Sequence, residues 1–86
     1  MNDKLLIKQG YIESSKYRTK VIKTCGYGVK TPTKIANDCE ISPKHISKTL
    51  RELKNIKCME CINEEAKKGR LYRLTEDGQK IYENMR

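Results

Sequence analysis

The sequence predicts a mostly helical α+β domain made of three helices, a β-hairpin and a closing helix. Three observations carry this prediction. "TP" at 31–32 and "SP" at 42–43 each place a hydroxyl residue before proline, which opens a helix well, and the two openings lie close together. Apolar residues after each opening recur at helical spacing. Two short apolar runs, Cys58 to Ile62 and Leu71 to Leu74, then flank a polar loop holding one glycine, as in a hairpin.

Taken in order, residues 1–13 hold Leu5, Leu6, Ile7 and Ile12 without a clean period. A strand, a short helix or an N-terminal arm all fit, and an arm is expected. Ser14 or Ser15 caps the first helix. Tyr17, Val21 and Cys25 recur on one face of it, while Arg18, Lys20 and Lys23 occupy others. Cys25-Gly26-Tyr27-Gly28 ends it, because glycine tolerates the left-handed terminal conformation. Thr31 caps the second helix with Pro32 at its first position, and Ile35, Ala36 and Cys39 form its buried stripe.

Ser42 and Pro43 open the third helix, which runs to about Asn55. Ile46, Leu50 and Leu53 share its inner face. Lys44, Lys48, Arg51 and Asn55 lie opposite, with His45 and Ser47 on the flanks. Two helices joined by a turn of a few residues have the spacing of a helix-turn-helix. Residues 63–70 are the hairpin loop. Thr75 caps a closing helix over 75–86, with Glu76 and Asp77 placed favourably in its first turn and Ile81, Tyr82 and Met85 as its apolar stripe. With 86 residues the chain supports one core, so a single domain over 1–86 is expected.

Charge narrows the partners. Lys+Arg is 19 against Asp+Glu 11, a formal +8, which favours a polyanion and most often nucleic acid. A membrane surface is the rival, but a peripheral basic helix carries large exposed apolar groups, and none is evident. No apolar run is long enough to span a bilayer. "MNDKLLIKQG" has an acid at residue 3 and too short an apolar run for a signal peptide, so a cytoplasmic location is expected. Four cysteines allow three readings. The plain one is small buried hydrophobes in a reducing compartment; the rivals are a redox-sensing thiol and a metal or disulfide site. Cys58 and Cys61 form a CxxC, but on a strand they face opposite sides, and the upstream Cys25 and Cys39 do not form a second knuckle.

The run "TPTKIANDCEISPKHISKTLRELKN", a short strand, the basic loop "KKGRLYRLTEDG" and a closing helix together resemble the winged helix-turn-helix transcription regulators. The nearest likeness is to the small archaeal and bacterial forms related to the MarR and ArsR groups. "SSKYRTKVIK" is similar to their first helix, "TPTKIA" to the second, "ISPKHISKTLREL" to the third, and "GRLYRLTEDG" to the second wing strand and its exit. The likeness covers roughly residues 14–83; each piece is weak, and the ordered set is strong. Members commonly have glycine just after the third helix, where this chain has Lys57. Either that lysine takes a left-handed turn, at about a kilocalorie over glycine, or Asn55 takes it. A separate ligand-sensing domain finds no room in these residues, so any signal is expected to be read within them or by a partner.

The resemblance implies a third helix in the major groove and a hairpin wing on an adjacent groove or backbone. The groove's width, which admits one helix, agrees. Pro43, Lys44, His45, Ser47 and Lys48 are then the candidates for base edges, with Lys44, Ser47 and Lys48 favoured. His45 stands equally well as an exposed polar residue. Ser42 and Thr31 sit at helix N-termini that attract phosphate, and Arg51 is placed on backbone phosphate. Lys67, Lys68 and Arg70 form the basic wing tip, which Glu64 and Glu65 oppose if they point the same way. No catalytic constellation, cofactor motif or metal-ligand set is present, so neither enzyme activity nor a cofactor is expected. The leading reading is a sequence-specific double-stranded DNA-binding transcriptional regulator. It is expected to be a homodimer joined through residues 1–13 and the closing helix, where Leu5, Leu6, Ile7, Ile81 and Met85 offer more apolar surface than one small core absorbs. The alternative is a winged-helix module that holds a protein or RNA in a transcription, replication or repair assembly.

Overall fold

Capping chemistry decides where the helices begin. The structure, a computed structural model, describes residues 2–86. Its order is α1 (Asp3–Glu13), α2 (Lys16–Cys25), α3 (Pro32–Cys39), α4 (Pro43–Asn55), β1 (Met59–Cys61), β2 (Tyr72–Leu74) and α5 (Glu76–Met85). Ser15, Thr31, Ser42 and Thr75 are the N-caps of α2, α3, α4 and α5, and each side chain accepts a backbone N–H three residues on. The hydroxyl-proline pairs therefore mark the helix-turn-helix, now α3 and α4, as the sequence predicts. With the β1–β2 hairpin behind it and α5 closing the core, the architecture is a winged helix.

The N-terminal segment differs from an arm. Residues 3–13 form α1, capped by the Asn2 side chain, which accepts the Leu5 N–H at 2.9 Å. Its pattern is weak because only Leu5 and Ile12, two turns apart, are buried, while Leu6 and Ile7 are 51% and 74% exposed. Asn2 followed by Asp3 is the signal that marks this helix, a cap and an acid in the first turn. Leu5 and Ile81, expected as surplus apolar surface, lie inside this chain's own core. Only Leu6 and Ile7 remain outside it in that set, with Met85 half-buried.

The core joins Ile12 of α1, Val21 and Ile22 of α2, Ile35 of α3, Ile46 and Leu53 of α4, Leu74 of β2 and Ile81 of α5, all essentially inaccessible. Each such side chain contributes about 1.5–3 kcal/mol through burial. Tyr17 does not join Val21 and Cys25 in that core: it is 41% exposed, and Ile22 completes the buried face of α2. The hairpin is antiparallel, with Met59 opposite Leu74, Glu60 opposite Arg73 and Cys61 opposite Tyr72. Lys30 adds a separate rung on the other edge of β2: its N–H donates to the Tyr72 carbonyl at 3.0 Å and its carbonyl accepts the Tyr72 N–H at 2.8 Å. That rung fixes the start of α3 against the base of the wing.

Two residues other than glycine take the left-handed conformation: Glu40 at φ 57°, closing α3, and Lys57 at φ 61°, just after α4. The turn left open between Asn55 and Lys57 is therefore taken by Lys57. Beside it, Thr75 Oγ donates to the Lys57 carbonyl at 2.7 Å and accepts the Gly78 N–H at 3.1 Å. Gly78 packs so tightly there that a β-carbon on it would lie 2.1 Å from the Cys58 carbonyl oxygen.

Candidate nucleic-acid interface

The candidate interface centres on α4, whose two faces differ sharply. Ile46, Thr49, Leu50 and Leu53 are buried, and Thr49 satisfies its hydroxyl by donating to the His45 carbonyl at 2.8 Å. Pro43, Lys44, Ser47, Lys48 and Arg51 are exposed. The helix presents them because 3.6 residues per turn returns 44, 48 and 51 to one side. Lys44, Lys48 and Arg51 form no ion pair among the described residues.

The acids beside this face are neutralised. Glu52, on the flank toward α2, accepts Arg18 Nη1 at 3.0 Å. Glu64, at the start of the wing loop, accepts Lys54 Nζ at 2.7 Å. The Lys54 hydrogen bond holds the Glu64 carboxyl below the usual carboxylate range and raises the Lys54 ammonium in turn. Glu64 therefore does not stand as a bare charge against phosphate; it ties the wing to the last turn of α4. Glu65 is exposed and unpaired among the described residues.

His45 is exposed but directed. Its ring lies 5.1 Å from the Tyr17 ring, tilted by 46°, so α2 holds it on the flank of α4. Tyr17, left outside the core, has this histidine as its aromatic neighbour. Thr31 and Ser42 spend their oxygens on capping, accepting Lys34 N–H at 3.2 Å and His45 N–H at 3.4 Å. Their hydroxyl protons and the remaining free N–H groups of the first turns stay available to an anion. On the other flank, Pro32, Ser47, Leu50, Arg51, Lys54, Asn55 and Tyr72 line a groove of about 300 Å³ between α3, α4 and the hairpin.

The wing loop is ordered by its own polar groups. Asn63 Oδ1 accepts the Leu71 N–H at 2.7 Å, and Asn63 Nδ2 donates to the Gly69 carbonyl at 3.2 Å. Arg70 Nε donates to the Ala66 carbonyl at 2.9 Å. Lys67 and Lys68 are exposed between these ties. Asn63 was passed over in the sequence, although an asparagine opening a hairpin loop is a turn signal.

The cysteines stay apart from this surface. Cys25, Cys39 and Cys58 are buried and Cys61 is half-buried at the base of the wing. Burial, with a smaller contribution from Cys39, pushes the Cys25 thiol up to about 12, and burial pushes Cys58 up to about 11. Among the described residues no group of three or more His, Cys, Asp or Glu side chains is placed to hold a metal ion. Among the described residues no helix is long and apolar enough to cross a membrane.

No family model and no curated protein matches the chain by sequence. Solved structures do match in shape. A double mutant of ZitR from Lactococcus lactis superposes with a TM-score of 0.73 at 19% identity, over 83% of this chain and 49% of the ZitR chain. The apo form of the same mutant gives a TM-score of 0.75 at 20% identity, over 93% and 61%. This is a fold likeness. The chain spans about half to three-fifths of the ZitR chains it resembles.

Proposed function

We propose that the chain is a sequence-specific double-stranded DNA-binding transcription regulator of the small MarR- or ArsR-like kind. In this reading α4 lies in the major groove and the wing on an adjacent groove or backbone. The observation that carries it is the sorting of charge: Lys44, Lys48, Arg51, Lys67, Lys68 and Arg70 have no acidic partner among the described residues, while Glu52 and Glu64, beside helix and wing, are neutralised and leave Glu65 as the unpaired acid of the wing loop. A module that only held a protein has no need of unpaired cations on helix and wing together. The fold likeness to ZitR supports the winged-helix architecture on which this reading is built.

Lys44, Ser47 and Lys48 are the base-reading residues, because they sit in the first turns of α4, the part that meets base edges in this geometry. Pro43 at the tip of the helix packs against the groove wall, and His45 contacts DNA from the α2 flank. Arg51, Ser42 and Thr31 bind phosphate, and the wing tip adds sequence-independent grip. The chain acts as a homodimer through α1 and α5, for which exposed Leu6 and Ile7 supply apolar surface.

Titration against duplex DNA at several salt concentrations tests the proposal. Groove binding predicts a linear fall of log affinity with log salt, at about −0.9 per phosphate contact. A selection from random duplexes must also return a preferred sequence. Equal binding of every sequence removes the regulator reading.

A further inference from the structure

The ion pairs leave a cluster that the reading above does not use. Seven of the 19 basic side chains, Lys8, Arg18, Lys30, Lys34, Lys54, Arg73 and Lys80, are paired with acids. Most of the others fall into three groups of three. Two are the α4 face and the wing tip; the third is Lys16, Lys20 and Lys23 on α2. These three recur at i, i+4 and i+7, so they form one row on the side of α2 turned away from buried Val21, Ile22 and Cys25. All three are exposed.

The row's position follows from its neighbours. Tyr17, next to Lys16, touches His45 in the first turn of α4. Lys20 Nζ lies 3.5 Å from the carbonyl of Cys39, the last residue of α3. The row therefore runs beside the turn that leads into α4. The wing is tied to the other flank of α4 through Lys54 and Glu64. Acidic compensation is incomplete: Glu13 shares a surface hollow with Lys16 and Lys20 and Glu40 is exposed, but neither forms an ion pair with the row among the described residues.

We propose that Lys16, Lys20 and Lys23 form a third phosphate-binding strip, which engages duplex DNA flanking the α4 site on the side opposite the wing. The proposal rests on the DNA-binding reading above. Like charges at helical neighbour spacing oppose one another unless a counter-charge spans them. The row covers about 10 Å of helix axis at 1.5 Å per residue. Over that length one DNA strand presents about three phosphates. A repeated anion of that spacing is the ligand the row matches, and the basic face on α4 brings it there.

The test compares two duplexes sharing one selected site, a short one covering the α4 contacts and one extended on both sides. The wild-type protein binds the longer duplex more tightly and with a steeper salt slope. The variant Lys16→Gln, Lys20→Gln, Lys23→Gln loses that gain, and its slope on the long duplex falls by roughly 0.9 for each contact removed. Its affinity for the short duplex and its preferred sequence stay unchanged. The matching triple arginine variant restores the gain, which shows charge rather than fold to be the cause. Equal loss on both lengths overturns the strip, as does no loss on either, which would leave the row to an RNA or an acidic protein. Wild-type binding that ignores length overturns the strip alone; no duplex binding at all overturns it together with the proposed function.

Discussion

Lys54 Nζ lies 2.7 Å from Glu64 Oε1, joining the last turn of the candidate reading helix to the first residues of the wing loop. The pair holds wing and helix as one surface, and it occupies a cation that otherwise faces the groove beside Arg51. Glu64→Gln frees Lys54 and removes a negative charge. The variant is expected to bind all duplexes more tightly, with a salt slope steeper by up to about 0.9. Because Glu64 is exposed and Lys54 only half-buried, its melting temperature changes little. An unchanged slope sinks the idea that Glu64 restrains Lys54.

The same pair has a defined pH window. Glu64 is shifted down, so its share of the contact is present above the ordinary carboxylate range and is lost as pH falls through its lowered value. Lys54 is shifted up, so its share is present below the ordinary lysine range and is lost as pH rises through its raised value. The Lys54 side-chain NMR signal is thus expected to be flat between about pH 6 and 9, moving only beyond. Movement near neutrality contradicts the pairing.

In the proposed function helix and wing divide their work, and the following variants are expected to separate them. Lys44→Ala with Lys48→Ala abolishes sequence preference, each lost base contact being worth about 1–3 kcal/mol of discrimination. Lys67→Ala with Lys68→Ala weakens all sequences about equally and reduces the salt slope by about 1 per residue. Should the two double variants behave alike in a binding titration, the division fails.

Gly78→Ala is expected to be among the most damaging small changes in the chain. The added carbon meets the Cys58 carbonyl oxygen at 2.1 Å, so α5 must lift from the α4–β1 turn. A cost of about 2–3 kcal/mol follows from overpacking. In a domain of this size that lowers the melting temperature by on the order of 10 °C. Gly10→Ala, where nothing lies within 4 Å, serves as the control and loses no stability.

Thiol reactivity separates the cysteines. In the native protein at mildly alkaline pH, alkylation followed by mass spectrometry is expected to mark Cys61 first. Cys25 and Cys58 stay protonated and covered, and Cys39 is covered. All four react after unfolding. Fast native labelling of Cys25 or Cys39 would revive the redox-sensing reading.

Much of this was legible in the chain because it rests on local chemistry. Thr31-Pro32, Ser42-Pro43 and Thr75 start their helices through contacts three residues away, and α4 shows its faces through spacing alone. Charge balance likewise pointed to a polyanion. The helix α1 was not legible, because its burial rests on just Leu5 and Ile12 among adjacent apolar residues with no period. Other features depend on residues far apart in sequence. Glu64 became a tether rather than an obstacle through Lys54, His45 acquired a direction from Tyr17, and Gly78 is left no room for a side chain by the Cys58 carbonyl. Side-chain patterns report which face of an element is buried; which charges meet, and so which remain for a ligand, is decided only when the elements pack.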